Sequence, residues 1–125
     1  MNLLLDTHIF LWLVDDDRRL TAQARQLILG ASQVFVSSVS IWEIAIKSCL
    51  GKIRVDPADA DREIQICGFR ELNVTNRHAI QVAGLPFHHR DPFDRLLIAQ
   101  AMTEPLHLLT ADAHLAAYSE LVITI

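Results

Sequence analysis

Positive charge is what this chain is short of. Lysine and arginine number 11 against 15 aspartates and glutamates, a formal net charge of −4. A protein that holds nucleic acid by bulk positive charge would show the reverse balance, because phosphate contacts dominate such affinity. Nucleic acid is not itself excluded, since a bound metal ion can meet a phosphate directly. Long apolar runs are missing too. Met1 to Val14 is apolar apart from Asn2, Asp6, Thr7 and His8, but it is too short to span a membrane. It also lacks the early positive charge and small-residue cleavage site of a secretory signal. The four glycines form no phosphate-cradling loop, and there is no G-x-S-x-G nucleophile turn. The six histidines include no H-x₃₋₄-H pair, which argues against a zinc site. Cys49 and Cys67 have no metal-ligand spacing. They are expected to be buried, reduced thiols of a cytoplasmic protein.

What is present is a strong apolar pattern. Hydrophobic residues make up 51% of the 125, enough for one folded domain over residues 1–125 with its own core. Leu3–Leu5, Val34–Val36, Glu71–Val74, His107–Leu109 and Leu121–Thr124 are expected as short strands. Helices are expected at Thr7–Val14, from a Thr21 cap to about Leu29 with Gly30 as its stop, and at Ser40–Leu50 ended by Gly51. Further helices are expected at Pro57–Ile66, from Thr75 or Asn76 to about Gly84, at Pro92–Thr103 and at Asp112–Tyr118. Leu85–Arg90 is expected as a loop. Strands alternating with helices predict an α/β domain with a mainly parallel sheet covered on both faces.

Four acids fall near the places where these strands give way to helices: Asp6, Glu43, Asp94 and Asp112. In a parallel sheet such points open on one edge, where substrates bind. Each acid also has a local explanation. Asp6 can cap the first helix. Ser40 to Glu43 matches a capping box, and Glu43 can pair with Lys47 one turn on. Asp91-Pro92 is a strong helix start, which leaves Asp94 in a first turn favoured by the helix dipole. Thr110 can cap the last helix, with Asp112 in its first turn. Caps do not require carboxylates, however, and four carboxylates at one edge call for a hard divalent cation with oxygen ligands, Mg²⁺ or Mn²⁺. His88 and His89 are expected on a loop surface, and His8 as a packed or hydrogen-bonded residue. Basic residues at Arg18-Arg19, Lys47, Lys52, Arg90 and Arg95 are expected mainly as solvated surface charge.

The segments Leu5-Asp6-Thr7-His8, Ser40 to Lys47, Arg90 to Ala101 and Leu109-Thr110-Ala111-Asp112 resemble, in order and over essentially the whole chain, the motifs of PIN-domain ribonucleases. More narrowly they resemble the VapC-type toxins of prokaryotic toxin–antitoxin pairs. The stretch Arg90 to Ala101 is the most specific. The resemblance implies a three-layer α/β/α fold with a mainly parallel sheet and a Mg²⁺- or Mn²⁺-dependent endonuclease acting on RNA. It also implies a homodimer and a cognate VapB-type antitoxin whose tail covers the site. It carries over Asp6, Glu43, Asp94 and Asp112 as the acidic quartet. Asp6 and Asp94 would hold metal most directly, and Thr110 would be the small hydroxyl residue beside the fourth acid, able to bond a ligand or water. Arg95, Lys47 or Arg90 could steer an RNA backbone.

Other classes are less well matched. A phospho-acceptor receiver domain would place two adjacent acids after the first strand, where Thr7 follows Asp6. A haloacid-dehalogenase-type phosphatase would place an aspartate at position 8, where this chain has histidine. A catalytically silent interaction domain of the same fold predicts no cleavage with any divalent ion.

Overall fold

The computed structural model describes residues 1–125. Five short strands form one sheet: β1 (Asn2–Leu5), β2 (Gln33–Ser37), β3 (Arg70–Leu72), β4 (His107–Thr110) and β5 (Val122–Thr124). Their order is β3-β2-β1-β4-β5, and every neighbouring pair is parallel. Six α-helices connect them: α1 (Thr7–Val14), α2 (Ala22–Gly30), α3 (Ser38–Cys49), α4 (Pro57–Ile66), α5 (Asn76–Val82) and α6 (Pro92–Thr103), with a 3₁₀ helix at Ala113–Tyr118.

Side chains alternate across the pleat, and this builds two cores. Leu3 and Leu5 of β1, Val34 and Val36 of β2 and Leu109 of β4 pack with Phe10, Ala24, Ile44 and Ile64 from α1 to α4. Leu4 and Leu108 point the other way, onto Leu97, Ile98 and Ala101 of α6 and Leu115 of the 3₁₀ helix. A strand buried on both faces has no polar side to show, which is why the centres of β1 and β4 are runs of leucine, Leu3–Leu5 and Leu108–Leu109. The result is three layers, α/β/α, with the sheet wholly parallel.

Chain order explains where a site can form. The path runs outward from β1 to β2 and β3, then crosses back to place β4 on the other side of β1. The C-terminal ends of β1 and β4 therefore diverge into helices on opposite faces, leaving a crevice between them. Leu5 is in register with Leu109, so Asp6 and Thr110 leave the sheet side by side.

Several boundaries differ from the expected ones, for local reasons. Helix α3 begins at Ser38 because Ser37 caps it, accepting from the Val39 N–H. The Ser40–Glu43 capping box is not formed. Ser40 is buried one turn in, where its hydroxyl accepts from Thr7 at 2.8 Å and ties α3 to α1. Strand β3 spans Arg70–Leu72 rather than Glu71–Val74, since it pairs with Phe35–Ser37 and stops where β2 stops. Helix α2 runs through Gly30, and Ala31 ends it in extended conformation. Gly51 and Gly68 do adopt positive φ, 72° and 74°, which only glycine takes readily. Cys49 and Cys67 are free, as expected, but exposed rather than buried. They sit at the ends of α3 and α4, beyond the buried stripes.

Arg95 also departs from expectation. It is buried on α6, not on a charged surface. Its guanidinium donates to the carbonyls of Val82, Leu85, Pro86 and His89 and to the Tyr118 hydroxyl, at 2.8–3.5 Å, and it packs on the Phe87 ring. Carbonyls of an irregular loop have no ladder partner, and a rigid five-donor fork can satisfy several at once. Arg95 thus fixes loop 83–91, which carries His89. Engaged in this way, it is not free to steer a phosphate. Arg95→Met should lower unfolding free energy by about 2–3 kcal/mol, because buried carbonyls lose their donors; urea denaturation measures this.

Candidate metal centre

The crevice beside β1 holds an open cavity of about 400 Å³, lined by Asp6, Glu43, Lys47, His89, Asp91, Asp94 and Asp112, with His8 and Trp12 at its side. A larger cavity, about 470 Å³, lies at the opposite strand edge among Leu29, Val34 and Phe69 and contains no carboxylate. All four acids expected from the sequence line the first one. They reach it by different routes.

Asp6 follows β1 directly and caps α1. One carboxylate oxygen accepts from the His8 N–H at 3.0 Å, and the other accepts from the Thr110 hydroxyl at 2.6 Å. Thr110 ends β4 and is fully buried. Its oxygen accepts in turn from the Asp112 N–H at 3.0 Å. The Thr110 hydroxyl therefore does not cap the last helix; Asp112 does, accepting from the His114 N–H at 2.9 Å. Glu43 comes from the middle of α3, on the turn after Ser40. Asp94 lies in the first turn of α6, which follows a loop rather than a strand. Asp91 caps that helix through the N–H groups of Phe93 and Asp94, and its charge also faces the cavity.

Burial and crowding set the electrostatics. Asp6 is pushed above its ordinary range, mainly by burial and against the bonds from Thr110 and His8. Asp94 is pushed up to about 7, first by burial and then by the charges of Asp6 and Asp91. Asp112 is more open and moves down. Burial opposes its charge, but bonds from His114 and the positive potential of His89 and His114 outweigh that. Lys47 meets Glu43 Oε2 at 2.5 Å. Burial works against its charge, yet Glu43, Asp91 and Asp94 together hold its pKa above the usual value. It is not a free surface cation.

His89 was not expected here. Its Nε2 lies 2.9 Å from Asp94 and 3.4 Å from Asp112. The sequence offered a weak signal for it: the ring sits two residues before the Asp91-Pro92 helix start, and the helix start fixes the loop's direction. His88, by contrast, stays on the surface against Tyr118.

These groups fit a divalent cation. Five carboxylates face one lysine, an imbalance that raises pKa values when nothing offsets it. Glu43 is only 3% exposed, yet its Oε1 has no hydrogen-bond partner. A buried carboxylate oxygen left bare is costly unless an ion meets it. Hard oxygen donors suit Mg²⁺ or Mn²⁺.

Asp94 gives a pH test in the metal-free chain. Its folded pKa lies above the ordinary 3.8, so the folded state holds the extra proton and its ionisation opposes folding. That penalty is absent below pH 3.8, grows as pH rises and is complete above about 7. Asp94→Asn should therefore be more stable than the parent at pH 8 in chelator, by about 1–3 kcal/mol, and lose that advantage near pH 4. Thermal unfolding at the two pH values checks it, and Mg²⁺ should raise the melting temperature of the parent alone.

Comparison with known proteins agrees with this architecture. Residues 3–121 match the model of the PIN domain family. The chain is similar to Ribonuclease VapC22 of Mycobacterium tuberculosis, at 28% identity over 119 residues, covering 94% of this chain and 92% of that protein. Among solved structures, a toxin–antitoxin complex from Klebsiella pneumoniae shares the fold with a TM-score of 0.67 and 21% identity, over 97% of this chain and 95% of that one. The VapBC2 structure from Rickettsia felis, bound to a DNA fragment from its promoter, does so at 0.66 and 14%, over 100% and 98%. With the family model matched along nearly the whole chain and the acids gathered at the crevice beside β1, this protein belongs to the PIN domain family.

Proposed function

We propose that this chain is a Mg²⁺- or Mn²⁺-dependent endoribonuclease and the toxin of a type II toxin–antitoxin pair. The observation that carries the reading is the bare, buried Glu43 oxygen among four other carboxylates at the crevice. In this reading Asp6, Asp94 and Glu43 would hold the ion, with Asp112 completing the shell. When bound, such an ion supplies water activation and neutralisation of phosphate charge.

The chain's own residues have separable tasks. Thr110 orients the Asp6 carboxylate through its 2.6 Å bond. Lys47 holds Glu43 Oε2, and Oε1 is left without a protein partner and would be available to an ion. Ser37, Asp91 and Asp112 fix the helix starts that frame the crevice. Of Lys47 and Arg90, Arg90, exposed just before the α6 cap, is the cation left for an RNA backbone, since Lys47 is committed to Glu43. The negative crevice disfavours bare phosphate, so RNA affinity should depend on the divalent ion as well as the reaction.

The partners follow from the same reading: RNA as substrate, a cognate VapB-type antitoxin, and a second copy of this chain. Similarity to a ribonuclease named VapC22 supports the first, and two structural neighbours solved as toxin–antitoxin assemblies support the second. No helix is long and apolar enough to cross a membrane.

Purified chain should cut RNA with Mg²⁺ or Mn²⁺ and not in chelator. Asp6→Asn and Asp94→Asn should each lower the rate by more than about 100-fold, since loss of an outer-shell partner alone commonly costs 10–100-fold. Both variants should keep the parent circular dichroism spectrum. Undiminished cleavage by both in excess Mg²⁺ would defeat the assignment, and no cleavage by the parent with any divalent ion would favour a silent interaction domain.

A further inference from the structure

We propose that a groove along α1, continuous with the metal crevice, holds a single-stranded stretch of RNA leading away from it. Trp12 and Arg19 take a base there, and Lys52 and Arg54 take flanking phosphates. The identity of the strand rests on the nuclease reading above, but the groove uses none of the crevice acids. Two cavities meet at α1. The crevice and a second open cavity of about 270 Å³ share His8 and Trp12. A spacing of four puts these two on one helix face, with ring centroids 6.4 Å apart. Beyond Trp12 the second cavity is walled by Arg19 and by Lys52 to Val55. That segment follows the Gly51 turn and alternates. Ile53 and Val55 pack against the core, while Lys52 and Arg54 stay exposed. The N–H groups of Lys52 and Ile53 donate to the Lys47 carbonyl, so these cations hang from the helix that carries Glu43.

The sign of the charge reverses along this path. The crevice gathers carboxylates, whereas the second cavity sets Arg19, Lys52 and Arg54 against Asp15 alone. The lysine and arginine ion pairs of the chain are Arg19–Asp17, Arg25–Asp16, Lys47–Glu43 and Arg62–Asp59. Lys52 and Arg54 are left without an acid. A strand whose scissile phosphate sits at the metal thus meets attraction beyond it. Trp12 adds a surface for a base. The Arg19 guanidinium carbon lies 5.0 Å from the Trp12 ring centroid, and Asp17 holds its fork through Nε and Nη2 at 3.1 and 2.8 Å. Indole and guanidinium both stack with unpaired bases. A duplex keeps its bases inside and does not reach such a shelf. An acidic peptide would use the cations but has no need of the indole.

The chain has two tryptophans, so Trp42→Phe leaves Trp12 as the only indole. In that background, single-stranded RNA of about ten nucleotides, within the usual span of such sites, should quench the fluorescence at low salt in chelator. Without an ion the crevice repels RNA, so the binding read is that of the groove. Adding Lys52→Gln and Arg54→Gln should weaken it at least about tenfold, as one lost charge-assisted contact already does. The slope of log affinity against log salt should fall by about 1.4, for two single-strand phosphate contacts. Both side chains are exposed, and circular dichroism checks the fold. Anisotropy of a labelled strand repeats the affinities with both tryptophans in place. With Mg²⁺, the same double substitution should raise KM for the strand and leave kcat unchanged, as loss of uniform binding does. No quenching in the Trp42→Phe chain, or quenching and affinity unaltered by the double substitution, would overturn the proposal. So would equal quenching by the annealed duplex, or by a glutamate-rich peptide, which would make the groove a peptide site. Cleavage with Mg²⁺ at an unchanged KM removes the groove and leaves the nuclease reading. Quenching that depends on Lys52 and Arg54, without cleavage by any divalent ion, does the opposite.

Discussion

The Thr110 hydroxyl joins the two strands between which everything else is arranged. It donates to Asp6 at the end of β1 and accepts from the backbone of Asp112 just after β4. One side-chain oxygen thus ties the Asp6 carboxylate on one side of the crevice to the Asp112 N–H on the other. Full burial makes the link strong, because in low dielectric a charge-assisted bond gains and a lost partner costs more. The last helix begins only at Ala113, so its cap is Asp112, which accepts from the His114 N–H, and the Thr110 oxygen accepts from Asp112 itself. The carboxylate that caps the 3₁₀ helix is thereby held at the mouth of the crevice.

On this frame the chain accumulates a charge conflict that it does not resolve internally. A fold chosen for stability alone would pair each buried acid. Here only Glu43 has a full partner, Lys47, and only through one oxygen. Asp6 is answered by hydroxyl and amide dipoles, and Asp94 by His89. Dipoles reduce the cost of a buried charge without cancelling it. The residual conflict is local to the crevice, since Asp17 at the surface has its own arginine and the two cores carry no unpaired acid. Such concentration of misfit is the mark of a binding site rather than of poor packing.

Much of this was legible in the chain because the signals were local. Leucine runs without a polar face gave buried parallel strands, and Asp91-Pro92 gave a helix start correct to the residue. Asp6 was visible for the same reason: it directly ends a strand. What stayed hidden depended on contacts across the chain. Arg95 follows Asp94 on a helix and looks like any surface cation, but loop 83–91 folds over it and supplies carbonyls no pattern announces. Ser40 fits a capping box by spacing, yet Ser37 lies nearer the true helix start and Thr7, 33 residues away, claims the Ser40 hydroxyl. His89 was assigned to the surface because neighbouring histidines chelate poorly. Adjacency was the wrong criterion: in this loop His88 faces out and His89 faces in.

The site is graded from back to front. Asp6 and Glu43 form a buried wall of oxygen donors, held by bonds that leave their positions little freedom. Asp112 and His89 form a more open front, about a third and a quarter exposed, and they hang from loop and cap geometry rather than from strands. Asp94, on the first turn of α6, touches both. A rigid, dry wall suits a cation that must be placed accurately, because the donors need not reorganise when charge develops on a substrate. A softer, wetter front suits whatever enters and leaves. Asp94 is the hinge of that arrangement, and its pKa is pushed up to about 7 by the burial of the back wall together with the charges of Asp6 and Asp91.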